Sequence, residues 1–93
     1  MAFDAYYELT HIPIAKKMHG LTGWTITKFE ADADGTPPPY YLMAELYASS
    51  RADLLAVFDS PEGRASTADL PNFATGGVTF LFGEVQTIIP VRP

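Results

Sequence analysis

The chain predicts an α+β fold in which an antiparallel sheet carries helices on one face. Three observations point there. Phe3, Tyr6, Thr10, Ile14 and Met18 recur at helical spacing near the start, so one stripe can face a core. Two strand-like runs, 22–31 and 40–48, then follow each other with only a turn-rich connection between them. Serines at 49, 50 and 60 supply helix-start signals further on. The resulting order is helix, strand, strand, helix, strand, and two successive strands exclude a simple alternating α/β arrangement.

The first helix is read from Ala2 to Met18. Pro13 interrupts it, because proline lacks an amide donor and crowds the carbonyl of Leu9 four residues back, so a kink is expected near 11–13. Asp4 and Glu8 early and Lys16 and Lys17 late suit the helix dipole. Gly20 and Gly23 end the helical run. In the first strand, Thr22 to Ala31, Trp24, Ile26 and Lys28 share one face and Thr25, Thr27 and Phe29 the other. Asp34-Gly35 marks a turn in ADADGTPPP, and the three prolines cannot donate to a ladder, so this loop is expected to project. The second strand, Tyr40 to Ala48, is apolar almost throughout except at Glu45. That pattern suggests burial on both faces or at a subunit contact. Ser49 or Ser50 caps a helix to about Ser60, with Leu54, Leu55, Val57 and Phe58 expected inside. Ser60-Pro61-Glu62-Gly63 opens another helix, to about Leu70. A third strand is expected from Val78 to about Ile88, and Pro90 and Pro93 close an unassigned tail.

Composition narrows the function classes. Ninety-three residues make one domain, and 47% hydrophobic content supports a packed core. A domain this small leaves much surface uncovered, so association is a natural source of stability. The net charge of −5 and the lack of a basic stripe argue against nucleic acid as a partner. There are no cysteines, hence no disulfide or thiolate chemistry. No run is long enough to span a membrane and no signal peptide is visible, so a cytoplasmic protein without membrane partners is expected.

The stretches YYELTHIPIAKKM, GLTGW, YYLMAELY and SPEGRASTADLPNFATGGVTFLFGE together resemble the EthD family, named for a cluster that degrades ethyl tert-butyl ether. The T-H-x-P-x-A run and the N-F-x-T-G-G-V-T-F-L segment carry most of the resemblance. It implies a ferredoxin-like protomer of a dimeric α+β barrel, close in architecture to polyketide cyclases and muconolactone-type isomerases. It also implies a histidine at the barrel pocket, which here is His11. The family opens with a strand ahead of its first helix, whereas Met1 here lies almost at the helix start. The expected protomer therefore lacks that strand, leaving the Tyr40 and Val78 strands short of a partner and the sheet weakened.

His11 is the leading catalytic candidate, because an imidazole changes charge near neutral pH and sits here at the proline irregularity. Its structural alternative is a partly buried side chain bonding a carbonyl freed by Pro13. Tyr6, Tyr7, Trp24 and Tyr41 are candidate ligand-binding residues that would surround it with aromatic surface; core packing explains them as well. Glu45, alone in an apolar strand, is a candidate ligand contact or proton acceptor, or a solvated edge residue. Asn72 and Thr75 are explained by turn formation, and His19 by a helix end. Two histidines without matching acids make no metal site, and no serine lies in a nucleophile elbow. The expected protein is a homodimer with a pocket for a small hydrophobic or aromatic molecule. In one reading it performs cofactor-free proton transfer at His11; in another it only binds hydrophobic catabolic intermediates; in a third its aromatics serve dimer packing alone.

Overall fold

The computed structural model describes residues 3–92. The expected helix start at Ala2, and Pro93, lie outside that range. The chain order is α1 (Phe3–Tyr6), a π-helical segment (Tyr7–His11), α2 (Ile12–Ala15), β1 (Gly23–Lys28), β2 (Leu42–Tyr47), α3 (Arg51–Asp59), α4 (Pro61–Asp69) and a 3-10 turn (Leu70–Asn72).

Pro13 shapes the first of these elements. With no amide at 13 and the ring pressing on the preceding turn, the helix widens. The amide of Ile12 reaches the carbonyl of Tyr7, five residues back, and regular α geometry resumes with proline in its first turn. The wide turn rotates the side chains. Met18 is buried as expected, but the stripe runs to it through Tyr7, His11 and Ala15, and the expected Phe3, Tyr6, Thr10 and Ile14 are only half-buried. The helix also ends at Ala15 rather than Met18.

β1 and β2 pair antiparallel, with Trp24 opposite Leu46, Ile26 opposite Ala44 and Lys28 opposite Leu42. Alternation puts these six side chains on one face and Thr25, Thr27, Met43, Glu45 and Tyr47 on the other. The first face looks toward the helices. Trp24 and Leu46 pack with Leu21 against the core of Ala15, Met18 and Val57, and Lys28 pairs with Asp4 at 3.7 Å and Glu8 at 3.8 Å. Between the strands Gly35 takes φ +87°, as the Asp-Gly turn requires, and the Asp32 carboxylate accepts from the amides of Asp34 and Thr36.

Ser60 joins the last two helices. Its hydroxyl donates to the Val57 carbonyl at the end of α3 and accepts the Gly63 amide at the start of α4, while Ser50 caps α3 through the Asp53 amide. α4 packs on both α2 and α3. Of the four α3 residues expected inside, Val57 is buried and Leu54 and Phe58 half-buried, but Leu55 is exposed. Four positions within five residues span too much of a helix to share one face.

The expected third strand does not form. Residues 78–88 are exposed and join no ladder among the described residues, and the sheet has two strands. A strand needs a neighbour for its amides and carbonyls, and neither β1 nor β2 pairs with this one. Its apolar side chains stay in water: Phe80 is 59% exposed and Leu81 89%. Phe82 ties it to α3, packing on the Phe58 ring at 6.4 Å with the Arg51 guanidinium 5.1 Å from its centroid. Amides of 78–88 should therefore exchange with deuterium far faster than those of β1 and β2. Hydrogen-exchange mass spectrometry reads this directly, and protection of 78–88 equal to that of β2 would show that it pairs in solution.

Candidate functional site

The π segment and the end of α4 meet at His11. His11 is 5% exposed, and its Nδ1 lies 3.0 Å from Oδ2 of Asp69, itself 7% exposed. An ionised carboxylate only accepts, so Nδ1 carries the hydrogen. In the neutral imidazole Nε2 is then the lone-pair nitrogen. Among the described residues Nε2 has no hydrogen-bond partner. The other carboxylate oxygen of Asp69 accepts the Tyr6 hydroxyl at 2.7 Å and the Asn72 side-chain amide at 2.9 Å. Phe73 closes over this group, with ring centroids 4.6 Å from His11, 5.4 Å from Tyr6, 5.7 Å from Tyr7 and 5.2 Å from Phe3.

Local sequence explains the convergence. Leu70-Pro71-Asn72 tightens into a 3-10 turn after α4, which returns Asn72 to Asp69 and turns Phe73 inward. Tyr7 and His11 stand one helical turn apart, with ring centroids separated by 5.5 Å. Burial pushes the Asp69 carboxyl up, but the hydrogen bonds from Tyr6, Asn72 and His11 together outweigh it and hold the group below its ordinary value. Burial also raises the Tyr7 phenol, opposed by the indole N–H of Trp24 nearby.

A carboxyl with a depressed folded-state pKa stabilises the fold above its unfolded value, and that stability is lost as pH falls through the folded pKa. The loss attributable to Asp69 should therefore appear below about pH 4, the ordinary carboxylate value. Urea midpoints measured from pH 7 downward should show it. Asp69→Asn should flatten the curve in that interval, and an unchanged acid limb would exclude Asp69 as a contributor.

The structure thus brings together His11, Tyr6 and Tyr7, with Trp24 beside Tyr7. Tyr41 stands at the edge of this group. It is half-exposed, its hydroxyl donates to both carboxylate oxygens of Asp4, and its ring meets Phe3 edge-on at 5.4 Å. Glu45 does not join. It projects from β2 on the face away from the helices, opposite Thr25. Thr75 and His19 are exposed, and the latter lines a shallow cleft with Asp53 and Val57. His11 bonds a carboxylate from α4, not a carbonyl of its own helix. Asp69 is the residue that reading along the chain passes over: it looks like the last acid of an exposed helix. The one available signal was the D-L-P-N-F turn, whose proline and asparagine fold the chain back onto that acid.

A two-stranded antiparallel sheet under packed helices, with a buried histidine–carboxylate pair where the first helix meets α4, places the molecule among small α+β proteins of ferredoxin-like build. Comparison with known proteins makes this specific. Residues 1–77 match the model of the EthD domain. The chain is similar to an ethyl tert-butyl ether (EthD) family protein of Bacillus halodurans, whose crystal structure superposes with a TM-score of 0.82 at 32% identity over 90% of this chain and 83% of that one. It is also 39% identical, over 96% of its length and 85% of the relative's, to an uncharacterized 11.0 kDa protein from the thcB–thcC intergenic region of Rhodococcus erythropolis. The chain belongs to the EthD family.

Proposed function

We propose that the protein is a homodimeric pocket protein that moves a proton on a small hydrophobic or aromatic compound, with Nε2 of His11 as the base and no cofactor required. The observation that carries this reading is the buried His11–Asp69 pair. The carboxylate fixes both tautomer and ring orientation, and it stabilises the imidazolium that forms when Nε2 takes a proton. Tyr6 and Asn72 hold that carboxylate in turn, so the base is positioned before any ligand arrives. The aromatic rings of Phe3, Tyr7 and Phe73 make the surroundings apolar, suited to a hydrophobic ligand. The dimer is supported by apolar side chains that one chain leaves in water, among them Met43 on the outer sheet face and Phe80, Leu81 and Val85 beyond it. Such a protein would act on hydrophobic catabolic intermediates in the cytoplasm.

His11→Gln tests the reading. Glutamine keeps a donor toward Asp69 but cannot take a proton. Proton exchange on a bound carbon acid should fall at least about a hundredfold, the usual share of a positioned base, while fold and dimer persist by circular dichroism and light scattering. Full activity in His11→Gln would remove proton transfer and leave a binding protein.

A further inference from the structure

Trp24 presents a second feature beside His11. Its indole Nε1 is buried and meets no hydrogen-bond acceptor among the described residues. An indole N–H is a donor only, and burying it without an acceptor destabilises the fold, so its retention calls for an explanation. Its position supplies one. Tyr7, His11 and Ala15 follow each other at four-residue spacing along the buried stripe of the first helix. Trp24 packs against the cluster containing Ala15 at one end, and its N–H approaches the Tyr7 phenol at the other. Tyr7 in turn stands beside His11, ring centroids 5.5 Å apart, so the Trp24 N–H lies on the Tyr7 side of the imidazole. Tyr7 itself is 5% exposed. The Trp24 N–H and the Tyr7 hydroxyl thus both lie near a base whose Nδ1 is already held by Asp69. Ile26, next to Trp24 on the same sheet face, is 39% exposed, so the helices leave this face open alongside.

We propose that Trp24 Nε1 and the Tyr7 hydroxyl form an oxygen-binding site next to His11, and that the ligand is an apolar carbonyl compound carrying a C–H beside its carbonyl. This deepens the proton-transfer reading and rests on it for the reaction, though not for the binding. Nε2 takes the proton from carbon, the C–H electron pair becomes the C=C bond of an enolate, and the carbonyl π pair moves to oxygen. The two donors then hold the oxyanion. Return of the proton from Nε2 to carbon closes the cycle, and no oxidant, reductant or metal enters the balance. Donors buried among aromatic rings gain strength as the oxygen becomes negative, which favours the enolate over the ketone.

The probe is 2-tetralone, an aromatic ketone with acidic α-hydrogens, compared with tetralin, which has the same rings and no carbonyl. Calorimetric titration of the full chain should show 2-tetralone bound about tenfold more tightly than tetralin, and deuterium uptake at the α-carbon should exceed the buffer rate. Trp24→Phe should bring the two affinities to within about twofold of each other, the loss of one hydrogen bond. Benzothienylalanine at position 24, which keeps the indole shape without the N–H, should do the same, so a folding defect in the phenylalanine variant does not decide the matter. His11→Gln should keep the ketone preference and lose the exchange. An unchanged preference in both position-24 variants, or no ketone preference in the wild type, overturns the oxygen site. A preference that depends on Trp24 together with exchange that survives His11→Gln upholds the oxygen site and overturns His11 as the base.

Discussion

Gly63→Ala should destabilise the protein by at least about 3 kcal/mol, the upper end of what over-packing costs, out of a total of about 5–15 kcal/mol for a domain. A Cβ at this position would stand 2.1 Å from the Val57 carbonyl oxygen and 2.7 Å from both the Cα and the carbonyl oxygen of Phe58. All three are backbone atoms, so no rotamer change relieves the contact. The close approach follows from the Ser60 junction. With one hydroxyl bonded to the end of α3 and to the start of α4, the first turn of α4 lies directly on the last turn of α3. Alanine there must push the helices apart and break both caps. Thermal unfolding should show a fall of roughly 12–24 °C, at about 4–8 °C per kcal/mol for a domain of this size. Gly76→Ala is the matched control, since nothing lies within 4 Å of its added Cβ and the change should stay within about 0.5 kcal/mol. Equal melting temperatures for the two variants would show that α3 and α4 are not packed this closely in solution.

Asp69→Ala should cost about 3 kcal/mol as well, for a different reason. It strips an acceptor from Tyr6, Asn72 and His11 together and leaves the buried Nδ1–H of His11 unpaired. Asp69→Asn separates stability from chemistry. Its carbonyl can still accept from Tyr6 and Asn72, but its amide then faces Nδ1, so His11 must turn to the other tautomer, with the hydrogen on Nε2. The base is lost while the shape is kept. Proton exchange on 2-tetralone should fall by at least about a hundredfold, as in His11→Gln, since the base is lost in both. Imidazole nitrogen-15 shifts give a readout independent of any ligand. Nε2 should be pyridine-like in the wild type and pyrrole-like in Asp69→Asn. A pyrrole-like Nε2 in the wild type would mean that Asp69 does not set the tautomer.

What the sequence determined by itself was local in origin. Pro13 dictated the break in the first helix, because a missing amide and a ring clash act within one turn. Ser60 and Pro61 marked the start of α4 to the residue, and Ser49-Ser50 that of α3 to within one, because a cap bonds an amide three positions on. The alternation from Trp24 to Lys28 assigned faces that the β1–β2 register bears out. The tertiary structure alone decided the rest. The widened turn at Tyr7–His11 moved the buried stripe onto Tyr7, His11 and Ala15. Asp69 meets His11 across 58 positions of chain, and nothing in the composition near either residue encodes a bond of that span. The need for glycine at 63 comes from the backbone of another helix, invisible along α4 itself. Val78–Ile88 has the alternation of a strand and remains unpaired, because propensity describes one strand while a ladder requires two.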